Sequence, residues 1–192
     1  MKIASWNVNS LRVRLPHVLD WLADNQPDIL ALQETKMTDD QFPADEILSA
    51  GYEVTFSGQK TYNGVAILSK AQQLEVVTDV PGLEDPQRRI LAATLGDVRL
   101  LNLYVVNGQE VGSEKYEWKL HWLEKVSDYI DQQQAVYDKF VVVGDFNIAP
   151  ADEDTWDPEL WRDRILCSAP ERAALQRIQD AGLVDTFRLF EQ

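Results

Sequence analysis

The chain has 192 residues, 45% hydrophobic and 26% charged, a profile that excludes an intrinsically disordered polypeptide and fits one folded domain over residues 1–192. A single cysteine and two histidines exclude a disulfide framework, a multi-cysteine zinc site and a histidine-rich metal centre, and no apolar run approaches the roughly 20 residues of a membrane span. The net charge of −14 argues against a broadly polyanion-binding surface but permits a local basic strip, since exposed charges more than about 8 Å apart are screened, and a carboxylate-rich chain also suits hard divalent cations.

Lys2 to Val8 predicts a short strand ending in the turn-prone Asn7-Val8-Asn9-Ser10. Leu11, Leu15, Val18, Leu19 and Leu22 recur at helical steps, and Pro27 bars continuation past Asn25. Ile29 to Leu32 predicts a buried strand that runs out into Gln33-Glu34, and a brief helix over Ala44 to Ala50 stops at Gly51. Tyr52–Phe56, Val65–Leu68, Leu74–Val77, Ile90–Leu95 and Val98–Tyr104 are short β-prone runs, the last two joined by Gly96-Asp97 as a hairpin. A long helix from Ser113 to Gln134 is expected to turn Trp118, Trp122, Val126, Tyr129 and Ile130 inward. Phe140 to Val143 is another buried strand, leading into Gly144-Asp145-Phe146-Asn147. A long loop from Ile148 to Cys167 precedes a last helix, which Ser168 and Glu171 begin as a capping box and Gly182 closes. Strands that meander between helices favour an α+β, or α/β sandwich, fold of two packed sheets flanked by helices.

The chemistry gathers at strand ends. Asn7, Glu34 and Asp145 each follow a buried-looking strand, Tyr104 ends the hairpin strand, and Asn147 stands two residues beyond Asp145, on the same face if the backbone stays extended. Neighbouring strands would bring these side chains to one rim as an oxygen-only, partly anionic set, which suits Mg²⁺ or Mn²⁺ rather than zinc or copper. Each residue alone has a plainer reading: Asn7 and Asn9 as turn formers, Glu34 as a solvated loop carboxylate, Asp145 and Asn147 as an Asx turn, Tyr104 as a half-buried aromatic. The joint arrangement carries the weight. His17 and His121 fall within helices, Cys167 lacks a base partner, and Asp152, Glu153, Asp154 and Asp157 read as a solvated acidic face, while Trp156 and Trp161 are candidates for substrate contact.

Seven ordered blocks complete the reading: KIASWNVN at 2–9, DILALQETK at 28–36, GQKTYNGVAIL at 58–68, QRRI at 87–90, NLYVVNG at 102–108, VGDFNIAP at 143–150 and GLVDTFR at 182–188. Together they resemble the bacterial exonuclease III and abasic-site endonuclease family, within the exonuclease, endonuclease and phosphatase superfamily. The resemblance implies a four-layered α/β sandwich and Mg²⁺-dependent cleavage of DNA phosphodiester bonds, with Mn²⁺ as a substitute ion. The implied substrates are double-stranded DNA with abasic sites or 3′ ends to be trimmed and cleaned, as in base excision repair. It further implies Glu34 as the principal metal ligand assisted by Asn7, Asp145 as the residue that takes a proton from attacking water, Asn147 as the group that orients that water or the phosphate, and Tyr104 near the phosphate. Asp145 and Asn147 complete the implied metal set, and Lys36, Lys60, Tyr62 and Arg88 are the implied DNA contacts. A cytoplasmic, monomeric enzyme that does not touch the membrane is expected.

The family pattern continues past Val-Asp-Thr-Phe-Arg into strands that carry a tryptophan segment, an aspartate, and a Ser-Asp-His block holding the catalytic histidine. Those blocks are not among the 192 residues, and neither His17 nor His121 replaces that histidine. The expectation is a C-terminally incomplete sandwich whose second sheet lacks neighbouring strands, unstable and nearly inactive as an isolated polypeptide. Ordinary nuclease turnover by a preparation of this mass would contradict that. Two other readings stand beside the nuclease: a superfamily phosphatase acting on phosphoinositides or small phosphate esters, and an inactive partial domain kept for binding or assembly.

Overall fold

A computed structural model describes residues 1–190. The chain divides into two compact units, the first formed by residues 1–105 and 137–146 and the second by 106–136 and 147–192.

The strands among the described residues all lie in the first unit: β1 (Ile3–Asn7), β2 (Ile29–Gln33), β3 (Glu53–Ser57), β4 (Val65–Ser69), β5 (Gln73–Val77), β6 (Ile90–Leu95), β7 (Val98–Tyr104) and β8 (Phe140–Asp145). They form two four-stranded mixed sheets, ordered β1-β2-β4-β3 and β5-β6-β7-β8. The consecutive pairs β3–β4, β5–β6 and β6–β7 are antiparallel, as the meandering pattern predicts, whereas β4 and β5 part into different sheets, and the hairpin closes with Leu95 opposite Val98. β1 and β2, separated in the chain by helix α1 (Leu11–Asn25), pair parallel, as do β7 and β8. Helix α2 (Ala44–Ser49) completes the helical layer of this unit.

β2 and β4 are buried on both faces, which explains their unbroken apolar sequences. Leu30, Leu32, Ala66 and Leu68 pack with Leu11, Val18 and Leu22 of α1 and Ile47 of α2. The alternate residues Ile29, Val65 and Ile67 face the other sheet and meet Leu91, Ala93, Leu95 and Leu100. The unit is therefore helix on sheet on sheet. One polar group crosses the apolar gap between the sheets: Asn102, fully buried on β7, donates to the carbonyls of Leu32 (2.9 Å) and Ala66 (3.0 Å) and accepts from Gln33 Nε2 (2.7 Å).

At the end of β8, Gly144 has φ +145°, and a Cβ there would overlap the Leu103 carbonyl of the adjoining strand. Only glycine lets β8 stay in register with β7 up to the Tyr104–Asp145 pair. Among the described residues β8 has β7 as its only strand neighbour, and it is half-buried along its length.

The second unit contains α3 (Glu114–Gln134), the short α4 (Pro158–Trp161) and α5 (Ala169–Asp180). Ser168 and Glu171 form the predicted capping box on α5. The inner face of α3 departs from expectation, because Trp118 is only half-buried, leaning on His121 with ring centroids 5.6 Å apart. Tyr116 and Lys119 fill the buried positions ahead of Trp122, Val126, Tyr129 and Ile130. A lysine reads as surface in any hydrophobic pattern, so the expected stripe differs from the observed one at Trp118 alone, where Lys119 takes the inward position. Among the described residues no helix is long and apolar enough to cross a membrane.

Candidate active site

The alternation that buries the strands also delivers the site. Ile3, Ser5 and Asn7 share the face of β1 that looks toward the second sheet, as do Leu100, Asn102 and Tyr104 on β7 and Val141, Val143 and Asp145 on β8. Each of these faces is apolar or internally hydrogen-bonded within the gap and ends in a polar residue at its rim. Asn7, Tyr104 and Asp145 thus meet because three strands end together.

Asn7 Nδ2 donates to Glu34 Oε1 (2.9 Å) and to Asp145 Oδ2 (2.7 Å), drawing carboxylates from the two sheets onto one carboxamide. Its Oδ1 accepts from the Asn9 amide (3.0 Å), which fixes this orientation. The Tyr104 hydroxyl donates to Glu34 Oε1 (2.8 Å), and the Arg89 guanidinium lies 4.7 Å from the Tyr104 ring centre. Lys36 Nζ reaches Glu34 Oε2 (2.6 Å) and Asn9 Oδ1 (2.5 Å). Four of the five strand-end residues singled out from the sequence, Asn7, Glu34, Tyr104 and Asp145, are therefore in one hydrogen-bonded cluster.

Glu34 and Lys36 both adopt left-handed backbone angles, φ 56° and 55°, which non-glycine residues rarely do. The surrounding backbone holds them there: Ser10 and Leu11 amides donate to the Glu34 and Thr35 carbonyls (2.7 and 3.1 Å), and Thr35 and Lys36 amides donate to Gly64 and Asn63 (3.2 and 2.9 Å). Such over-determined strain is typical of sites where side-chain direction matters. The same contacts tie the loop over residues 58–64 to the cluster. Gly64 N–H donates to the Arg88 carbonyl (2.8 Å), and Arg88 N–H to Gln59 Oε1 (2.9 Å), so Lys60, Tyr62 and Arg88, all exposed, project from two joined segments beside Lys36.

Burial raises the Glu34 carboxyl, but hydrogen bonds from Asn7, Lys36 and Tyr104 and the Lys36 charge outweigh it, so its pKa lies below the ordinary 4.5. Burial, with the hydroxyl donated to Glu34, pushes the Tyr104 phenol up, keeping it a neutral donor. A carboxyl whose pKa is depressed on folding adds stability above its unfolded pKa that is lost as pH falls through the folded one. In the metal-free chain, with a chelator present, the melting temperature should therefore fall more steeply for the unsubstituted chain than for Glu34→Gln as pH drops below about 4.5. Parallel curves would contradict this.

Asn147 belongs to the second unit. The extended backbone assumed for the Asp145–Asn147 alternation does not persist, because β8 ends at Asp145 and Asn147 is left-handed, φ 48°. Its Oδ1 accepts from Asn107 Nδ2 (3.2 Å), a residue the sequence reading passed over, and Asn107 Oδ1 accepts from the Gln109 amide (3.2 Å). The acidic run of this unit is taken up in pairing and capping, since Asp152 and Asp154 bind Arg172 and Arg188 (2.8 and 2.6 Å) and Asp157 caps α4. Trp156 stands almost wholly exposed. Cys167 is buried, and burial pushes its thiol pKa up, contrary to what a nucleophile needs. His17 lies in α1 and His121 in α3, as expected.

A profile of the Endonuclease/Exonuclease/phosphatase family matches residues 4–185, and the chain belongs to that family. It is 35% identical to exodeoxyribonuclease III of Haemophilus influenzae over 201 residues, covering 98% of this chain and 75% of that protein. A solved structure of the 3′-5′ exonuclease NExo from Neisseria meningitidis superposes with a TM-score of 0.98 at 48% identity, over all of this chain and 75% of that one. The structure of the 3′ phosphatase NExo from Neisseria bound to a product DNA hairpin matches with the same TM-score and coverage at 47% identity.

Proposed function

We propose that the chain is the catalytic core of a divalent-metal-dependent DNA phosphodiesterase of the exonuclease III type, acting in DNA repair on abasic sites and 3′ ends of duplex DNA. Mg²⁺ is the proposed ion, with Mn²⁺ as a substitute. One observation carries this reading: Glu34 and Asp145, from different sheets, converge on a single Asn7 amide. The relatives support it, because one is named an exodeoxyribonuclease and the others a 3′-5′ exonuclease and a 3′ phosphatase with a DNA product.

The donor set fits Mg²⁺. Among the described residues no three His, Cys, Asp or Glu side chains are placed to hold a metal ion together, so a cation here would have two carboxylates, amide oxygen and water, the sparse all-oxygen set that ion accepts. When bound, it supplies charge stabilisation at the phosphoryl and leaving oxygens of an in-line displacement. Glu34 and Asp145 would hold it, and Asn7 keeps the two carboxylates together. Asp145 takes the proton of the attacking water on a carboxylate oxygen. Tyr104, a neutral donor half-buried beside Glu34, meets the phosphate, and Asn147 orients the water or the scissile group. Lys36, Lys60, Tyr62 and Arg88 grip the DNA backbone, which gives affinity without sequence readout.

The substrate class is tested by comparing a duplex with an abasic site and a 3′-phosphorylated hairpin against an inositol phosphate. DNA should be preferred in kcat/KM by at least about 100-fold, because the backbone contacts lend binding energy that a small ester lacks. Equal or reversed preference would favour the phosphatase reading.

A further inference from the structure

The second unit encloses an ion pair with no exposed surface: Lys119 Nζ and Glu171 Oε1 lie 2.5 Å apart, both side chains at 0% exposure. Lysine is almost never buried without compensation, and here the ammonium also reaches the Asn147 carbonyl (2.6 Å) and the Asn107 carbonyl (3.2 Å). Its N–H bonds thus meet one carboxylate and two backbone carbonyls. Glu171 is held independently of it, accepting the Leu166 amide (3.1 Å), the Ser168 amide (3.2 Å) and the Ser168 hydroxyl (2.6 Å), with the Tyr116 hydroxyl 2.8 Å from that same Ser168 oxygen. The anion is held by α5 and its cap as well as by the lysine anchored to it. Gly108, at φ +90°, lays the Asn107 loop directly on the lysine stem, where a Cβ would come within 3.1 Å of Lys119 Cδ.

We propose that Lys119 is a positioning residue: its buried ammonium, anchored by Glu171, clamps the backbone at Asn107 and Asn147 and so sets the direction of the two hydrogen-bonded carboxamides. This rests on the proposed role of Asn147 at the scissile phosphate. The hydrogen bond from Asn107 Nδ2 to Asn147 Oδ1 fixes which way the Asn147 carboxamide is turned, so a shift of either backbone turns both side chains. A left-handed residue such as Asn147 needs its backbone held, and the Lys119 ammonium holds its carbonyl at 2.6 Å.

The test separates clamping from mere stability. Lys119→Met strands a buried carboxylate and should lose both stability and rate. Lys119→Met combined with Glu171→Leu removes both charges, a change that buried pairs often tolerate, so its urea midpoint should recover. Its single-turnover rate on a 3′-phosphorylated hairpin should nonetheless stay about 30- to 100-fold below that of the unsubstituted chain with KM within about twofold, since small misplacement of a catalytic group costs that much. Its Asn107 and Asn147 side-chain amide resonances should shift in NMR spectra recorded without DNA or metal. A stable double variant with unchanged amide resonances and full rate would overturn the proposal. Asn147→Ala distinguishes the two levels: if it keeps full rate, the role of Asn147 falls and that of Lys119 with it. If it loses rate while the double variant does not, the clamp alone is wrong.

Discussion

Glu34→Gln should lower the single-turnover rate of DNA cleavage about 10³-fold relative to the unsubstituted chain and weaken Mg²⁺ binding by at least about tenfold in calorimetry, with little change in melting temperature at neutral pH. Glutamine keeps the size of the side chain and still accepts from Tyr104 and Asn7 at one oxygen, so the packing at the ends of β1 and β7 survives. What it loses is the negative charge that Lys36 now neutralises at 2.6 Å and that a cation would claim. The three hydrogen bonds that depress the Glu34 pKa keep the native side chain anionic at neutral pH, so removing that charge should act on metal and phosphate rather than on folding. A variant with less than a tenfold loss of rate and unaltered Mg²⁺ affinity would remove Glu34 from the metal site. It would also leave the binding-module reading standing, since a module that only docks DNA has no use for this charge.

The largest stability effect should come from Asn102→Ala. That change leaves the Leu32 and Ala66 carbonyls and the Gln33 amide short of a partner between two packed sheets, and it opens a void on the central strand of one of them. Buried groups stripped of a hydrogen bond cost about 1–3 kcal/mol each, so a loss near 3 kcal/mol and a urea midpoint lowered by about 1–2 M are expected. Rate per folded molecule should remain close to that of the unsubstituted chain, because Asn102 lies two residues short of the rim. A midpoint unchanged within error would mean that the inter-sheet bridge contributes nothing net.

Asn102 also marks the limit of what sequence alone conveys. The run Val98–Tyr104 reads as an apolar strand, and an asparagine inside it is an anomaly without a direction until the partner sheet is known. Lys119 is the same case on a helix, where the charge made Trp118 look like the inward residue. Strand ends were legible for the opposite reason: period-two burial forces side chains into register, so Asn7, Tyr104 and Asp145 sit wherever their buried faces stop. Alternation ends with β8 at Asp145, and Asn147 beyond it has a left-handed backbone that no pattern of hydrophobicity announces. Arg88 and Arg89 are adjacent in the QRRI block, and only the structure separates the exposed one from the one lying on the Tyr104 ring.

The relation of sequence to chemistry is therefore most secure where backbone geometry enforces it. Gly144 keeps β8 paired up to Asp145, and the backbone hydrogen bonds around Glu34, Thr35 and Lys36 hold two strained residues in place. Both devices serve one carboxamide and two carboxylates rather than the core.

Anomalous diffraction from crystals soaked in Mn²⁺ tests that arrangement most directly. A peak within coordination distance of both the Glu34 and Asp145 carboxylates, absent in Glu34→Gln crystals treated alike, is the expected result. A fully soaked crystal with its Mn²⁺ peak elsewhere, and none between those two side chains, would contradict the metal site on which the proposed chemistry stands.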